Sequence, residues 1–358
     1  MDFKPNFEKI LIFKLGLIGD ILMTTPLIRE IRTNFPESEI IYYIGDENAF
    51  SVLKGNKNID RVEVFDNYLL FLKDILKLFL LLIKIRKEQF DIAFILDKHW
   101  AFGLFIKLCG IPIRVGFDRD GGGIFNTCNI RYHEAKHEIL YYLSLLESIG
   151  IKPKIDTQMD LFIDKKEINL ANKFFKKNKL QDKIIGIFAS DGDIKSERSN
   201  PLKESRDIRK YPPNKWIELI QKLSKKYKII LFGGPRDKEF NQKMINFLKN
   251  KNIINGTCST IQETAAIMGK CSLIITTDMG PMHLASAVNN KIISLFGPTN
   301  PARKAPLHKE SIAIWKDQDI YDENFELYGR QPNKNKKNRW MKRITVREIE
   351  EAVKRYLS

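Results

Sequence analysis

Two glycines and a carboxylate lie where the first apolar run of the chain ends. The segment KLGLIGDILMTTP follows EKILIF, which is typical of a buried strand, and contains Gly16, Gly19 and Asp20. A dinucleotide-binding loop needs three glycines, G-x-G-x-x-G, and a carboxylate in the first turn of the helix repels the phosphate that a helix start attracts. The loop is therefore a poor phosphate site. Asp20 is either a general base at the end of a parallel strand or a cap of its helix.

Two stretches in the second half of the chain contain candidate ligand-binding residues. In TTDMGPMHLASAV, a strand passes into a helix through Asp278, Met279 and Gly280, and the backbone N–H groups at such a helix start form a diphosphate site. His283, in the first turn, either donates to a phosphate or sugar oxygen or only ties the helix to its neighbour. In LFGGPRDKE, Asp237 follows two glycines at a strand end, which suits a ribose diol or a helix N-cap.

A third motif matches a zinc site. HEAKH, residues 133–137, has the pattern H-E-x-x-H, in which two histidines one helical turn apart bind zinc and Glu134 acts as base. The motif lies near the start of its helix, and no third ligand follows in EILYYLSLLESIG. The four cysteines have no C-x-x-C spacing and lie in apolar surroundings, which predicts reduced, buried thiols. We therefore expect no bound metal.

Strands that alternate with helices must position these residues. In the first half the predicted strands are EKILIF, EIIYYIG, RVEVF, DIAFILD and IRVGF, and in the second half KIIGIFA, KIILFGG, NIING, SLIITTD, KIISLFG and SIAIW. This alternation is typical of parallel sheets with crossover helices. IKPKIDTQMDLFID, between the two sets, has no helical period and is predicted to be a linker. The sequence thus predicts two doubly wound α/β domains with a cleft between them.

The composition and charge of the chain limit the kinds of partner that the protein can have. The chain has 358 residues, 43% hydrophobic content and a net charge of +16, which indicates either a polyanionic partner or a general excess of lysine. The N-terminus lacks the apolar stretch of a signal peptide, so we expect a cytoplasmic protein. The apolar segment at 69–87 contains too many charges to span a bilayer and is predicted to pack in the core or lie on a membrane surface. The basic run at 333–343 is predicted to be a solvated loop.

These segments resemble glycosyltransferase family 9, the heptosyltransferases that extend the lipopolysaccharide inner core with ADP-heptose. The matching segments are LIFKLGLIGDILMTTPLIREI, YPPNKW, FGGPRDKE, STIQETAAIMGKCSLIITTDMGPMHLASAV, SLFGPTNPAR and MKRITVREIEEAV, in the family's order. The pair D-x-G-P-x-H-L-A and F-G-P-T-x-P is specific to this family. The resemblance implies the GT-B architecture, with two Rossmann-like domains facing across a cleft. It assigns acceptor binding to residues 1–160 and nucleotide-sugar binding to residues 161–340, with a closing helix at 341–358 that packs toward the N-terminal domain.

The resemblance also implies a role for each candidate residue. Asp20 matches the general base beside the acceptor hydroxyl. Arg209 or Lys210 faces the donor diphosphate, Asp237 binds the ribose, and Ser259 and Thr260 lie near the adenine. The full set of donor-binding positions is Ser190, Arg209, Lys210, Asp237, Ser259, Thr260, Asp278, Met279, Gly280 and His283.

Three features depart from the family pattern. Met279 replaces a small hydroxyl residue, so a side-chain hydrogen bond to phosphate is lost there. A polar insert at 191–208 separates Ser190 from the basic pair. The polar stretch before the last helix lacks the cysteines that many members carry, which argues against a metal-bound variant.

The resulting expectation is an inverting, metal-independent transferase that moves heptose from ADP-heptose onto an inner-core acceptor without a cofactor. Its partners would be the nucleotide sugar and an anionic lipid-linked glycan, met by peripheral association with the inner face of the cytoplasmic membrane. One alternative is a family 9 enzyme with another nucleotide-sugar donor or a different glycan or protein acceptor. The other is a non-catalytic nucleic-acid-binding protein, which the scattered basic residues disfavour.

Overall fold

The computed structural model describes residues 6–65, 75–133, 135–181, 183–190, 209–289, 291–316 and 339–357. The insert at 191–208, the polar stretch at 317–338, Glu134 and residues 69–74 of the apolar segment lie outside the described residues. The chain divides into two compact units, Met1–Phe162 and Ile163–Ser358. The division falls within the predicted linker, which contains no helix or strand.

The first unit is built on a parallel six-stranded sheet in the order β3-β2-β1-β4-β5-β6. Successive strands are added on one side of β1 up to β3 and on its other side from β4 onward. The carboxyl ends of β1 and β4 therefore form the topological switch point, where open α/β sheets bind ligands. Five of the strands were predicted; β6 was not, because its short CNIR run lies at the sheet edge with alternating exposure. The strands are β1 Lys9–Lys14, β2 Glu39–Ile44, β3 Arg61–Val64, β4 Ile92–Ile95, β5 Ile113–Asp118 and β6 Cys128–Arg131.

Helices follow the strands of this first sheet. Their apolar side chains, among them Phe102 and Phe105, pack with Phe13 of β1 and Ile95 of β4 in one buried cluster. Phe13 is paired in register with Ile95, so this packing holds the carboxyl ends of β1 and β4 side by side. The helices are α1 Ile18–Leu22, α2 Thr25–Asn34, α3 Glu47–Leu53, α4 Ile75–Lys87, α5 Trp100–Leu108 and α6 Glu138–Glu147, and a 3₁₀ helix spans Gly122–Phe125.

The second unit repeats this topology. Its sheet is also parallel and six-stranded, in the order β12-β11-β10-β7-β8-β9, so the switch point lies between β7 and β10. All six strands were predicted, because each lies in a short run rich in strand-forming residues between helical patterns. They are β7 Ile184–Ile187, β8 Lys228–Gly233, β9 Ile253–Thr257, β10 Leu273–Thr277, β11 Ile292–Phe296 and β12 Ser311–Trp315. Two doubly wound α/β sheets confirm the predicted fold class.

The helices of the second unit cover the faces of its sheet. They are α7 Lys165–Lys177, α8 Pro213–Leu223, α9 Lys238–Leu248, α10 Ile261–Met268, α11 Gly280–Val288, α12 Pro301–Lys304, α13 Arg339–Arg343 and α14 Val346–Leu357, and a 3₁₀ helix spans Pro235–Asp237. Among the described residues, no helix combines the length and the hydrophobicity needed to cross a bilayer.

The closing helix α14 packs within the second unit. Its buried residues Ile349 and Val353 belong to the same apolar cluster as Trp216 of α8. The Lys183 ammonium donates to the Leu357 carbonyl at 2.8 Å and so caps the end of the helix. The apolar stripe of α14 is thus buried on the second unit, and the predicted packing toward the N-terminal domain stays a prediction.

The basic run before α14 also differs from its prediction as a solvated loop. Its last residues form α13, and Trp340 and Met341 are fully buried in the second unit. Burial of these two large apolar side chains is compatible with the neighbouring cations Lys342 and Arg343, which stay exposed.

Candidate active site

An ion pair lies at the switch point of the first sheet. Lys14 is the last residue of β1, and its Nζ lies 2.5 Å from Oδ1 of Asp97, which follows β4. The backbone N–H of Leu15 donates to Oδ2 of Asp97 at 2.6 Å. Burial works to lower the pKa of Lys14, but Asp97 and Asp20 raise it by more, so the net pKa lies above its ordinary value. Lys14 is therefore a buried cation that two carboxylates keep charged.

Asp20 occupies the first turn of α1 beside this pair. Its side chain is half-buried, and its Oδ2 accepts from the Leu17 N–H at 3.3 Å. Its negative charge raises the pKa of Lys14 and of the buried Tyr42 phenol, so the carboxylate lies near the switch point. A Cβ at Gly16 would lie 2.8 Å from the Asp20 Cβ, so glycine at 16 leaves room for the carboxylate. Asp20 thus caps its helix weakly and also lies where a base toward a bound ligand would act.

A second buried pair adjoins the first. Lys98 follows Asp97, and its Nζ lies 2.5 Å from Oε2 of Glu138, the first residue of α6. The Tyr132 hydroxyl donates to the other carboxylate oxygen of Glu138, and the Lys98 ammonium also lies 4.8 Å from the Tyr132 ring centre. Burial lowers the pKa of Lys98 by more than Glu138 raises it. The cation is therefore held in a largely desolvated, aromatic-walled position.

A cavity of about 520 Å³ opens beside Lys98 within the first unit. The cations Lys98 and Arg119, the imidazole of His99 and the rings of Trp100 and Phe125 contribute to its lining. Aromatic walls with a few converging polar groups are typical of ligand pockets. The carboxylate of Asp120 also lines the cavity, and Lys98 is paired with Glu138, so the lining offers charged groups of both signs to a polar ligand.

Sequence reasoning missed Asp97 and Lys98. Both directly follow the buried run of β4, and the rule that drew attention to Asp20 applies to them equally: charge at the carboxyl end of a central parallel strand marks the ligand-binding edge. What the sequence could not supply was the neighbour relation between β1 and β4, which lie about 80 residues apart along the chain and pair only in the folded sheet.

The H-E-x-x-H motif does not form a zinc-binding helix. The sequence placed it near the start of a helix, but α6 begins only at Glu138, after the motif has ended. His133 is exposed and lies in no helix, whereas His137 is buried and its Nδ1 accepts from the Ile139 N–H at 3.2 Å. His137 is therefore the N-cap of α6, and the two histidines do not share a helical turn. Over the described ranges, no group of three histidine, cysteine, aspartate or glutamate residues is arranged to hold a metal ion.

In the second unit, three predicted donor-binding residues come together beyond β7 and β8. The Ser190 hydroxyl donates to Oδ1 of Asp237 at 2.6 Å, and the Gly234 N–H donates to Oδ2 at 2.7 Å. Burial lowers the pKa of Lys210 to about 8, and the nearby charge of Asp237 offsets this only in part. A Cβ at Gly233 would lie 2.5 Å from that of Asp237, which explains the first of the two glycines. Asp237 also lies at the N-cap position of α9, but its side chain makes no capping hydrogen bond to that helix and instead accepts from Ser190 and Gly234.

Asp278 connects the two family-specific motifs. It is buried at the end of β10, and its Oδ2 accepts from the Thr299 hydroxyl at 2.5 Å. Thr299 belongs to the F-G-P-T-x-P segment after β11, so the two sequence motifs form one hydrogen-bonded unit. The backbone of Asp278 reinforces the link, since its N–H donates to the Leu295 carbonyl at 3.1 Å.

The helix start after Asp278 has the geometry predicted for it. Met279 is the N-cap residue in an extended conformation, and its side chain makes no capping hydrogen bond. The nine-residue helix α11 then begins at Gly280, and His283 is buried in its first turn. Since β7 and β10 are neighbours, this helix start and Ser190 flank the same switch point.

Ser259 and Thr260 form the cap of α10. The Thr260 hydroxyl oxygen accepts from the Glu263 N–H at 3.1 Å, and the Ser259 N–H donates to the Glu263 carboxylate at 3.1 Å. Both residues are exposed. Their structural role is thus reciprocal capping, and a contact with adenine stays a prediction.

Two parallel sheets of this topology, each with charged groups at its switch point, define a two-unit, doubly wound α/β protein. The family model of glycosyltransferase family 9 (heptosyltransferase) matches residues 79–327, and the chain belongs to this family of glycosyltransferases. The predicted family is therefore confirmed, although the segment containing Asp20 precedes the matched range.

Individual relatives support the same assignment. Lipooligosaccharide heptosyltransferase 2 of Campylobacter jejuni is 24% identical over 313 residues, which cover 86% of each chain. The crystal structure of a family 9 glycosyl transferase from Veillonella parvula superposes with a TM-score of 0.80 at 24% identity, over 99% of this chain and 98% of that one. Escherichia coli heptosyltransferase WaaC with ADP superposes with a TM-score of 0.69 at 15% identity, over 97% and 99% of the two chains. At these identities the structural likeness extends to the fold alone.

Proposed function

We propose that this glycosyltransferase moves a heptose from ADP-heptose onto an anionic, lipid-linked inner-core glycan, with inversion and without a metal ion. The observation that carries the proposal is the pair of charged switch points: one unit has a carboxylate beside buried cations, and the other has a helix start beside a lysine and a buried aspartate. A base and an anion site are the two elements that displacement of a nucleoside diphosphate requires.

The second unit would bind the donor. Asp237 accepts from Ser190 and Gly234, and a carboxylate has further lone pairs that suit the two hydroxyls of a ribose. The start of α11 and the charge of Arg209 or Lys210 would bind the diphosphate. A heptosyltransferase of similar fold has been solved with ADP, which favours an adenine nucleotide.

The first unit would supply the base and bind the acceptor. The acceptor oxygen attacks the anomeric carbon, its proton passes to the Asp20 carboxylate, and the bond from that carbon to the diphosphate oxygen breaks. Positive charge at the start of α11 and on the basic pair stabilises the departing ADP, the task that a metal ion performs in other transferases. The cavity whose lining includes Lys98, His99, Arg119 and Asp120 would hold the acceptor sugar, with Arg119 as a donor to its acidic groups and Asp120 as an acceptor from its hydroxyls. Such an acceptor is lipid-linked, so we propose that the enzyme works peripherally at the cytoplasmic face of the membrane.

Substitution of Asp20 tests the proposed chemistry. Asp20→Ala and Asp20→Asn should lower turnover by about 100-fold or more, the usual worth of a general base, and leave ADP affinity unchanged. The amide oxygen of asparagine can still accept from the Leu17 N–H, so this variant separates the base from the cap. Wild-type turnover in Asp20→Asn would remove Asp20 from the mechanism.

A panel of nucleotide sugars tests the donor. ADP-heptose should bind more tightly than ADP-glucose and the UDP and GDP sugars in calorimetric titrations. Preference for another member of the panel would favour a family 9 enzyme with a different donor, for which the exchange of a small hydroxyl residue for Met279 is the motivating feature. Tight, steeply salt-dependent binding to random duplex DNA, with no nucleotide-sugar binding, would favour the nucleic-acid alternative.

A further inference from the structure

Helix α4 has two apolar faces, and only one of them is packed. Leu81 and Ile85 are buried in the core of the first unit, as the sequence-based expectation of core packing requires. The opposite face exposes large apolar side chains at spacings of one and four residues, which form one continuous stripe. Their exposed fractions range from 55% to 84%, and they are Ile75, Leu76, Phe79 and Leu80.

The same helix is cationic throughout. Its 13 residues contain four basic side chains and no acid. Lys84 is paired with Glu63 at 2.6 Å. Lys77, beside the stripe, and Arg86 and Lys87, at the end of the helix, are exposed. An exposed apolar stripe with exposed cations on the same helix is typical of a helix that lies in the plane of a membrane interface.

We propose that this face of α4, with Leu76, Phe79 and Leu80 at its centre, docks the first unit on an anionic lipid surface. The inference rests on the proposed function in one respect, namely that a lipid-linked acceptor gives the docking a purpose. A bilayer of anionic lipids offers acyl chains to the stripe and negative headgroups to the cations at the same time. A second copy of the chain would be a poor occupant, because a two-fold contact would bring the cations of two identical stripes together.

Co-sedimentation of the full chain with vesicles tests the docking face. Wild-type protein should bind vesicles of phosphatidylcholine with phosphatidylglycerol, bind pure phosphatidylcholine weakly, and be released by salt. Phe79→Ser should weaken binding by about tenfold, because serine lacks the free energy gained when the exposed part of the Phe79 ring moves from water into the lipid. Lys77→Gln combined with Lys87→Gln should weaken binding to anionic vesicles only.

Phe247 provides the matched control. It lies on α9 in the second unit and is 59% exposed, close to the 55% of Phe79. Phe247→Ser should bind vesicles as wild type does, and an equal loss in both variants would overturn the proposal. Equal binding of wild type to neutral and anionic vesicles, or binding to neither at low salt, would also overturn it.

The docking proposal and the proposed function fail separately. Phe79→Ser should keep wild-type ADP affinity and wild-type turnover on a water-soluble acceptor fragment, because the substituted side chain is exposed and faces away from the core. Loss of ADP affinity in this variant would show that the stripe supports the donor site instead of docking. Vesicle binding by a wild-type protein that transfers no sugar would leave the docking face intact and refute the function.

Discussion

The lowered pKa of Lys210 makes donor binding depend on pH in a way that identifies which basic residue faces the diphosphate. Burial lowers this pKa from the ordinary 10.5 to about 8. Only the protonated ammonium attracts a diphosphate, so as pH rises above about 8 the free protein loses the charge and must recover a proton when the donor binds. ADP affinity should therefore fall with rising pH. Arg209, the alternative contact, stays protonated throughout this range.

The size of the effect follows from the fraction of protonated Lys210. With a pKa of about 8, that fraction falls from roughly nine-tenths at pH 7 to roughly one-tenth at pH 9, so ADP affinity should fall about tenfold. At pH 8, binding should take up about half a proton. Lys210→Met should lower ADP affinity at pH 7 by about tenfold to 100-fold, the usual worth of a hydrogen bond to a charged group.

Calorimetric titration of ADP at pH 7, 8 and 9, in buffers of different ionisation enthalpy, measures both affinity and proton uptake. Arg209→Met is the matched control: it should keep the tenfold pH dependence and the proton uptake, while Lys210→Met loses both. Any ionisation of ADP itself affects all three proteins alike. If Lys210→Met keeps the same pH dependence as wild type, Lys210 does not bind the diphosphate and the reasoning fails.

Three further predictions concern the first unit. Asp97→Asn removes the carboxylate that is hydrogen-bonded to the buried ammonium of Lys14 and should destabilise the protein by about 3 kcal/mol, and an unchanged urea midpoint would contradict this. Gly16→Ala should displace Asp20 and lower turnover at least tenfold at constant ADP affinity, whereas normal turnover would show that α1 absorbs the added methyl group. Cys128 is half-buried on the edge strand and should be the one thiol that a disulfide reagent labels rapidly at pH 8 in native protein. Burial raises the pKa of the other three thiols and so slows their reaction. Fast labelling of all four thiols would refute this burial pattern.

Much of the fold was readable because parallel strands are buried on both faces. Such strands appear as continuous apolar runs such as LIIT and KIILF, and most of the eleven predicted strands contain one. RVEVF and NIING were predicted from their place in the alternation of strands and helices. The edge strand β6 escaped because exposure on one side removes the signal. The helix at Arg339–Arg343 escaped because its cations mask Trp340, whose burial depends on a surface that other segments provide.

The residues of the candidate site were partly predictable from the sequence, but their contacts were not. Sequence alone determined which residues follow strand ends, and so it identified Asp20, Asp237 and Asp278, because a motif records local chain geometry. Tertiary structure alone decided which of these positions become neighbours. The contacts of Lys14 with Asp97 and of Asp278 with Thr299 join strands that are distant or separate in the chain.

Local chemistry likewise needed the folded environment. H-E-x-x-H is a zinc signature only where a helix brings its histidines one turn apart, and the start of α6 after His137 removed that geometry. The low pKa of Lys210 depends on burial beside Asp237, which no spacing of residues expresses. The sequence by itself thus determined the succession of strands and helices along the chain and the chemical groups at each strand end. The tertiary structure decided which groups meet and how charged they are, because proximity and desolvation arise only when distant segments pack together.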